Sequence, residues 1–172
     1  MSKIIEDNQD WTISVLVDNE AGVLARVIGL ISGRGYNIES LTVAEVNKAE
    51  HMSRITIVTT GTAKVIRQLE AQLDRLVPVH SVLNLTADID SLEREMALVK
   101  VVASGDKRVE SLRLSEAFRA KVMDATHGSF VFELTGSPQK IDAFIDLMNP
   151  LGLSEVSRTG VVAISKGSSN MG

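Results

Sequence analysis

Two similar stretches decide the fold: Ile57-Val58-Thr59-Thr60-Gly61-Thr62, leading to Lys64-Val65, and Phe132-Glu133-Leu134-Thr135-Gly136-Ser137, leading to Lys140-Ile141. In each, a run of strand-forming residues ends at Thr-Gly, and the next hydroxyl can accept a hydrogen bond from the first amides of a helix. Pro138 suits the first position of the second helix. The two Thr-Gly pairs lie 75 residues apart. This spacing favours a duplicated unit, although convergent capping chemistry is an alternative.

The residues around the first stretch alternate with the period of strands and recur with the period of helices. The predicted elements are a strand at 11–17, a helix from Val23 that stops at Gly33 and Gly35, strands at 36–46 and 53–60, a helix capped by Thr62, and a strand at 79–85. Their order is βαββαβ, the ferredoxin-like arrangement.

The second half repeats this order. Its predicted elements are a strand at 96–102, a helix at 106–118, strands at 121–125 and 129–134, a helix capped by Ser137, and strands at 155–157 and 161–165. The fold class is therefore α+β, with two ferredoxin-like βαββαβ domains. The predicted ranges are a flexible N-terminus at 1–10, a first domain at 11–86, a linker at 87–92, a second domain at 93–166 and a flexible tail at 167–172.

Composition and charge exclude several classes of function. Residues 1–86 hold 8 basic and 10 acidic residues, and residues 87–172 hold 10 and 12. Neither half has the basic surface that neutralises phosphates, which argues against nucleic-acid binding. Acidic residues stand near the N-terminus where a signal peptide needs an apolar run, and no stretch has the length of a membrane span. These features predict a soluble cytoplasmic protein.

The sequence shows no pattern typical of an active site. The absence of cysteine removes thiolate nucleophiles and thiolate metal ligands. His51, His80 and His127 are widely separated; we expect the first and last in exposed turns and His80 on a strand face, although a metal site assembled in space stays open. Glu93, Arg94 and Glu95 are expected to be solvated charges. No phosphate-binding glycine motif is present.

The turn between the first strand and the first helix is the best candidate site. The first amides of a helix have no partner within it and carry partial positive charge, so a carboxylate can sit there. Gly22 would let a ligand approach the amides of Gly22, Val23 and Leu24, and Asn19 offers both a donor and an acceptor. Asn37 could do the same from another side. The structural alternative is that Asn19 and Gly22 only form the turn.

Five stretches together resemble bacterial acetohydroxyacid synthase (acetolactate synthase) small subunits, over about residues 11–167. They are Asn19-Glu20-Ala21-Gly22-Val23-Leu24-Ala25-Arg26-Val27, Gly35-Tyr36-Asn37-Ile38-Glu39-Ser40-Leu41-Thr42-Val43, Met52-Ser53-Arg54-Ile55-Thr56-Ile57-Val58, Arg94-Glu95-Met96-Ala97-Leu98-Val99-Lys100-Val101 and Arg158-Thr159-Gly160-Val161-Val162-Ala163.

The resemblance implies an N-terminal ACT domain and a C-terminal ferredoxin-like domain, both pairing across a homodimer. It also implies an effector, valine or another branched-chain amino acid, at the interface between two ACT domains. The effector-binding residues carried over from the family are Asn19, Gly22, Val23 and Leu24 of one chain, with Asn37 and Ile38 of its neighbour.

The resemblance further implies a partner, the larger catalytic subunit of this transferase in branched-chain amino-acid biosynthesis. That subunit condenses pyruvate with a second 2-keto acid and holds thiamine diphosphate, magnesium and FAD. The present chain is then expected to have no catalytic residue, cofactor or metal of its own. It would activate the catalytic subunit and confer feedback inhibition.

Two other functions are weighed against this one. A free-standing ACT-type amino-acid sensor would act on another partner, such as a transcription regulator, but the sequence shows neither a DNA-binding helix pair nor a basic arm. A ferredoxin-like enzyme with an unrecognised active site is the third. An assay of the isolated chain distinguishes such an enzyme from a regulatory subunit, because a regulatory subunit alone forms no acetolactate from pyruvate.

Overall fold

The structure is a computed structural model, which describes residues 8–86, 90–168 and 171. The chain divides into two compact units, residues 1–92 with 161–172, and residues 93–160. The predicted domain ranges stay a prediction, although residues 161–166, which they assign to the second domain, group with the first unit.

The first unit contains one four-stranded antiparallel sheet and two helices. In chain order its elements are β1 (Gln9–Asp18), α1 (Val23–Gly33), β2 (Ile38–Asn47), β3 (Met52–Gly61), α2 (Ala63–Leu73) and β4 (Val79–Asn84). The strand order is β2-β3-β1-β4, so β2 and β4 lie at the edges. This is the predicted βαββαβ arrangement.

The core of the first unit lies between its sheet and its helices. Alternate residues of β1 and β3, such as Ile13 and Val15 opposite Ile57 and Ile55, face the helices and are fully buried. They pack against apolar residues of both helices, namely Val23, Val27, Ile31, Ile66, Leu69 and Leu73. The period of two in the strands and the helical spacing in α1 and α2 therefore meet in one core.

The second unit repeats the topology. Its elements are β5 (Ser91–Val102), α3 (Gly105–Ala117), β6 (Lys121–Ala125), β7 (Ser129–Gly136), α4 (Pro138–Met148), a 3₁₀ turn (Asn149–Leu151) and β8 (Leu153–Arg158). The strand order β6-β7-β5-β8 corresponds to that of the first sheet, which confirms the predicted fold class. A short ninth strand, β9 (Val162–Ser165), lies in the C-terminal segment that groups with the first unit.

Three predicted irregular segments differ from the structure. Gln9 and Asp10 lie in β1 rather than in a tail, because they pair with β3 and the Asp10 carboxylate accepts a hydrogen bond from Thr60 at 2.7 Å. Ser91 begins β5 within the expected linker. The Met171 carbonyl accepts a bond from Ser81 Oγ at 3.0 Å within the expected tail. Within these predicted segments, residues 1–7, 87–89, 169–170 and 172 lie outside the described residues.

The two Thr-Gly stretches end their strands and cap the following helices as predicted. The Thr62 side chain accepts a hydrogen bond from the Val65 amide at 3.5 Å, and Ser137 accepts one from the Lys140 amide at 3.3 Å. Each stretch therefore joins a central strand to a helix in the same way.

Loss of the better-formed cap should destabilise the second unit. We expect Ser137→Ala to lower the free energy of unfolding by about 1 kcal/mol, because the amide of Lys140 loses its acceptor. Urea denaturation followed by circular dichroism measures this change. Ser137→Asn is the control, since asparagine is an equally good cap; equal losses in both variants would contradict the assignment.

Candidate effector-binding site

Asn19 leaves β1 in an exposed turn. Its backbone N–H donates to the carbonyl of His51 at 2.6 Å, and its side-chain amide donates to the Glu45 carboxylate at 3.2 Å. The turn is thus tied to the loop between β2 and β3. The side-chain carbonyl oxygen of Asn19 remains available to accept a hydrogen bond from the ammonium group of a ligand.

Gly22 is the N-cap of α1 and adopts a left-handed conformation, with φ of 87°. A Cβ at this position would have no heavy atom within 4 Å, so the space above the helix start is open. No side chain caps the helix, and its first turn contains no acidic residue. The helix start therefore lacks a carboxylate of its own to balance its partial positive charge.

One predicted donor is already occupied. The Val23 amide donates to the Glu20 carbonyl at 3.3 Å, because the left-handed Gly22 folds the chain into a tight turn. Val23 instead contributes a buried side chain to the core. The Leu24 amide lies in the first turn, where helix geometry supplies no acceptor, and the Leu24 side chain is 36% exposed.

Asn37 and Ile38 follow the other end of α1. The Asn37 carbonyl accepts a hydrogen bond from Thr59 Oγ1 at 2.6 Å, which fixes the backbone where β2 begins. Its exposed side-chain amide donates to the Glu39 carboxylate. Ile38 pairs with Thr59 in the sheet. The position of the Asn37 side chain at the surface leaves it accessible to a second molecule.

The six predicted residues form two separate groups. Asn19, Gly22, Val23 and Leu24 lie at the start of α1, and Asn37 with Ile38 lies beyond its end. An 11-residue helix is about 16 Å long. A single chain therefore does not bring the two groups into one site around a small amino acid.

The histidines form no metal centre among the described residues, which contain no cluster of three or more metal-ligating side chains. His51 lies in an exposed turn with φ of 52°, and His127 is exposed between β6 and β7, as predicted. His80 lies on β4, with Nε2 at 2.6 Å from the Asp18 carboxylate. No helix in the described ranges is long and apolar enough to cross a bilayer.

The expectation that Glu95 is solvated is wrong. Glu95 is 4% exposed, and both its carboxylate oxygens accept hydrogen bonds from Arg158, at 2.7 and 2.6 Å. Arg158 also donates to Asp142 at 2.7 Å. These contacts raise the pKa of the Arg158 guanidinium above its usual value, chiefly through the hydrogen bonds with Glu95. The only sequence signal for this ion pair was that Glu95 and Arg158 each lie in a stretch that resembles the family.

Arg54 is a second residue that the sequence did not single out. It lies on β3 opposite Leu16 of β1, and its Nε is buried with no hydrogen-bond partner. A cation in a strand otherwise made of uncharged residues was the available signal.

The fold defines a class of protein in which two βαββαβ units follow each other along the chain, the first with an open helix start. Residues 13–81 match the AHAS small subunit-like ACT domain, and residues 94–167 match the small subunit of acetolactate synthase. The chain belongs to the acetolactate synthase small-subunit family.

Individual relatives cover nearly the whole chain. A probable acetolactate synthase small subunit of Archaeoglobus fulgidus is 46% identical over 91% of this chain and 96% of its own length. The isozyme 3 small subunit of Escherichia coli is 46% identical over 90% and 94%. The crystal structure of the acetolactate synthase small subunit from Thermotoga maritima is 37% identical, with a TM-score of 0.82 over 94% of this chain and 99% of that one.

Proposed function

We propose that this chain is the regulatory subunit of acetolactate synthase, which activates the thiamine-diphosphate-dependent catalytic subunit and makes it sensitive to valine or a related branched-chain amino acid. Family membership over nearly the whole chain is the observation that carries this proposal. The chain's own residues would take no part in forming bonds of acetolactate. Thiamine diphosphate, magnesium and FAD would belong to the catalytic partner.

The proposed effector site lies between two copies of the ACT domain, for which we retain the range 11–86. The helix start of one chain would receive the effector carboxylate through the Gly22 and Leu24 amides, with Asn19 beside it. Asn37 of the neighbouring chain would reach the same ligand, since α1 separates it from the helix start of its own chain. Leu24 and Ile38 would supply apolar walls.

Two observations support this arrangement. The start of α1 has neither a capping side chain nor an acidic residue in its first turn. The strand that follows Asn37, β2, is an edge strand with Val43 and Val46 40% and 53% exposed, so a second copy can approach this side of the domain. An effector held by both chains would fix their relative orientation.

The energy needed for regulation is small. A coupling free energy of about 1–3 kcal/mol between effector and catalytic partner changes an affinity or population 5–150-fold. Reciprocity requires that an effector which weakens docking also binds more weakly to the docked form. A few hydrogen bonds to a zwitterion supply free energy of this size.

Reconstitution tests the proposed function. The isolated chain should form no acetolactate from pyruvate, while its addition to the catalytic subunit should raise turnover and introduce inhibition by valine, leucine or isoleucine. Acetolactate formation is measured over a titration of each amino acid. Unchanged turnover and unchanged amino-acid sensitivity after addition would overturn the proposal.

Loss of the Asn37 side chain should weaken effector binding. We expect Asn37→Ala to raise the Kd for valine about tenfold, because removing a hydrogen bond to a charged ligand group costs about 1.5 kcal/mol. Calorimetry on the full chain measures affinity, and the reconstituted enzyme measures inhibition. Asn149→Ala, an exposed residue after α4, is the control. Wild-type affinity in Asn37→Ala would remove this residue from the site.

A further inference from the structure

We propose a second ligand site on the first unit, for a small aliphatic carboxylate, at the face of its sheet opposite α1 and α2. We call this the outer face and define it by Ser14, Leu16, Arg54, Thr56 and Leu83. The geometry points to Arg54 as the group that binds the carboxylate. This inference goes beyond the proposed effector site and does not depend on it.

The alternation of β1 and β3 creates the outer face. Because Val15 and Ile55 point into the helical core, their neighbours Leu16 and Arg54, which are directly opposite each other in the register, point away from it. Part of this face is covered by residues 161–163. The Val161 carbonyl accepts a bond from Thr42 Oγ1 at 2.9 Å, and the Val161 amide donates to Ser40 Oγ at 2.8 Å.

A cavity of about 650 Å³ remains beside the covered part. This volume lies within the range of about 300–1,000 Å³ that is usual for small-molecule sites. Its apolar lining comes from residues of β1, β2, β3 and the C-terminal segment, namely Leu16, Val46, Met52 and Met171. Apolar walls around a few polar groups favour an organic ligand with an aliphatic body.

Arg54 supplies the polar anchor. Its Nε is buried and has no hydrogen-bond partner, and no ion pair of its guanidinium occurs within 8–86, 90–168 and 171. A buried donor without an acceptor is destabilising, so the folded chain gains when a ligand supplies one. The planar guanidinium presents two parallel N–H groups that match a carboxylate.

A second unsatisfied group lies next to Arg54. Ser14 is fully buried, and its Oγ has no hydrogen-bond partner. Ser14 and Arg54 both line a smaller cavity of about 50 Å³. Two buried polar groups without partners on neighbouring strands therefore face the same region, which is unusual for a purely structural sheet face.

The other charges of the large cavity limit the choice of ligand. His80 lies against the Asp18 carboxylate at 2.6 Å, and the Glu50 carboxylate accepts a bond from Asn47 at 2.9 Å. Glu50 would repel a phosphate dianion more strongly than a monocarboxylate, because the repulsion grows with the charge of the ligand. An aliphatic 2-oxo acid and an aliphatic amino acid share this chemistry, and only the amino acid has an ammonium for Glu50.

Methionine NMR on the full chain locates binding directly. With methyl-¹³C-methionine protein, we expect 3-methyl-2-oxobutanoate or valine to shift the Met52 and Met171 signals with a Kd of about 1 mM or tighter. The Met123 and Met148 signals, from residues of the second unit, should not move. Inorganic phosphate is the third probe and should cause no saturable shift.

Substitutions connect the shifts to Arg54. Arg54→Gln should weaken binding at least tenfold, and Arg54→Lys should give an intermediate loss because the charge stays but the paired donors are lost. Arg67→Gln, an exposed arginine of α2, is the matched control. If the amino acid is the ligand, Glu50→Gln should weaken the binding of valine. The same substitution should leave the binding of 3-methyl-2-oxobutanoate unchanged.

The outcome is separable from the proposed effector site. Asn37→Ala should leave the Met52 and Met171 shifts intact while weakening effector binding at the first site about tenfold. Absence of saturable shifts with both carboxylates, or identical shifts in Arg54→Gln, would overturn the second site, whatever the result for Asn37.

Discussion

Gly152→Ala should destabilise the second unit by about 3–5 kcal/mol. Gly152 lies between the 3₁₀ turn and β8 with φ of 105°, a backbone conformation that side chains rarely tolerate. A Cβ there would stand 2.2 Å from the Val102 carbonyl oxygen, a backbone atom of the central strand β5. Relief would require the chain to move away, which would break the 2.9 Å bond from the Val102 amide to the Gly152 carbonyl. Strain and a lost sheet contact therefore add together.

Hydrogen exchange of the full chain measures this effect where it arises. We expect peptides from 93–160 to lose protection in Gly152→Ala. Gly128→Ala is the matched control, because Gly128 also bonds to the chain just after β5, through Ala103, but a Cβ there would have no heavy atom within 4 Å. Similar protection in the two variants would show that the close approach of Gly152 to Val102 does not determine the stability of the second unit.

Local signals were sufficient to predict the fold. The Thr-Gly stretches carry the strand end, the cap and the first helical turn within about eight residues, and these contacts are short in sequence. Strand alternation predicted which side of β1 and β3 faces the helices, because a period of two leaves a single choice once one face is apolar. Duplication of this pattern predicted the second sheet without further information.

Contacts between distant residues were not predictable in the same way. The sequence gives no sign that Gly152 must approach Val102, since the two are 50 positions apart. The strand start at Ser91 was missed because its residues, Ser91 to Glu95, lack a strong apolar pattern and gain their partners from other strands. Glu95 was expected to be exposed to solvent because it is charged. It is buried instead, and its ion-pair partner Arg158 lies 63 positions away in the sequence.

The candidate site falls between these cases. Turn chemistry identified Asn19, Gly22 and Leu24 as a possible anion site, and the structure shows that helix start to be open. It also assigns the Val23 amide to Glu20, a bond set by the left-handed Gly22. The role proposed for Asn37 would depend on a second chain, so neither the local sequence pattern nor the geometry of one protomer predicts it. Only the resemblance to the family connected the two groups.

Arg158→Ala should lower the stability of the second unit by about 3 kcal/mol. The substitution would leave the Glu95 carboxylate buried without its paired donors, and breaking a buried ion pair costs about 3–5 kcal/mol. We expect the lower end of this range of free energies because the Arg158 side chain is 36% exposed. Asp142→Ala, which removes only the exposed partner of Arg158, should cost less than about 1 kcal/mol.

A double variant that removes both charges distinguishes loss of the ion pair from burial of one unpaired charge. Glu95→Leu combined with Arg158→Met should recover most of the stability lost in Arg158→Ala, because an apolar pair of similar volume no longer leaves a charge uncompensated. Urea denaturation followed by circular dichroism gives the four free energies of unfolding. If Arg158→Ala cost no more than Asp142→Ala, Glu95 would have another partner or access to water. If the double variant stayed as unstable as Arg158→Ala, the buried charge of Glu95 would not be the source of the lost stability, because the double variant has no such charge.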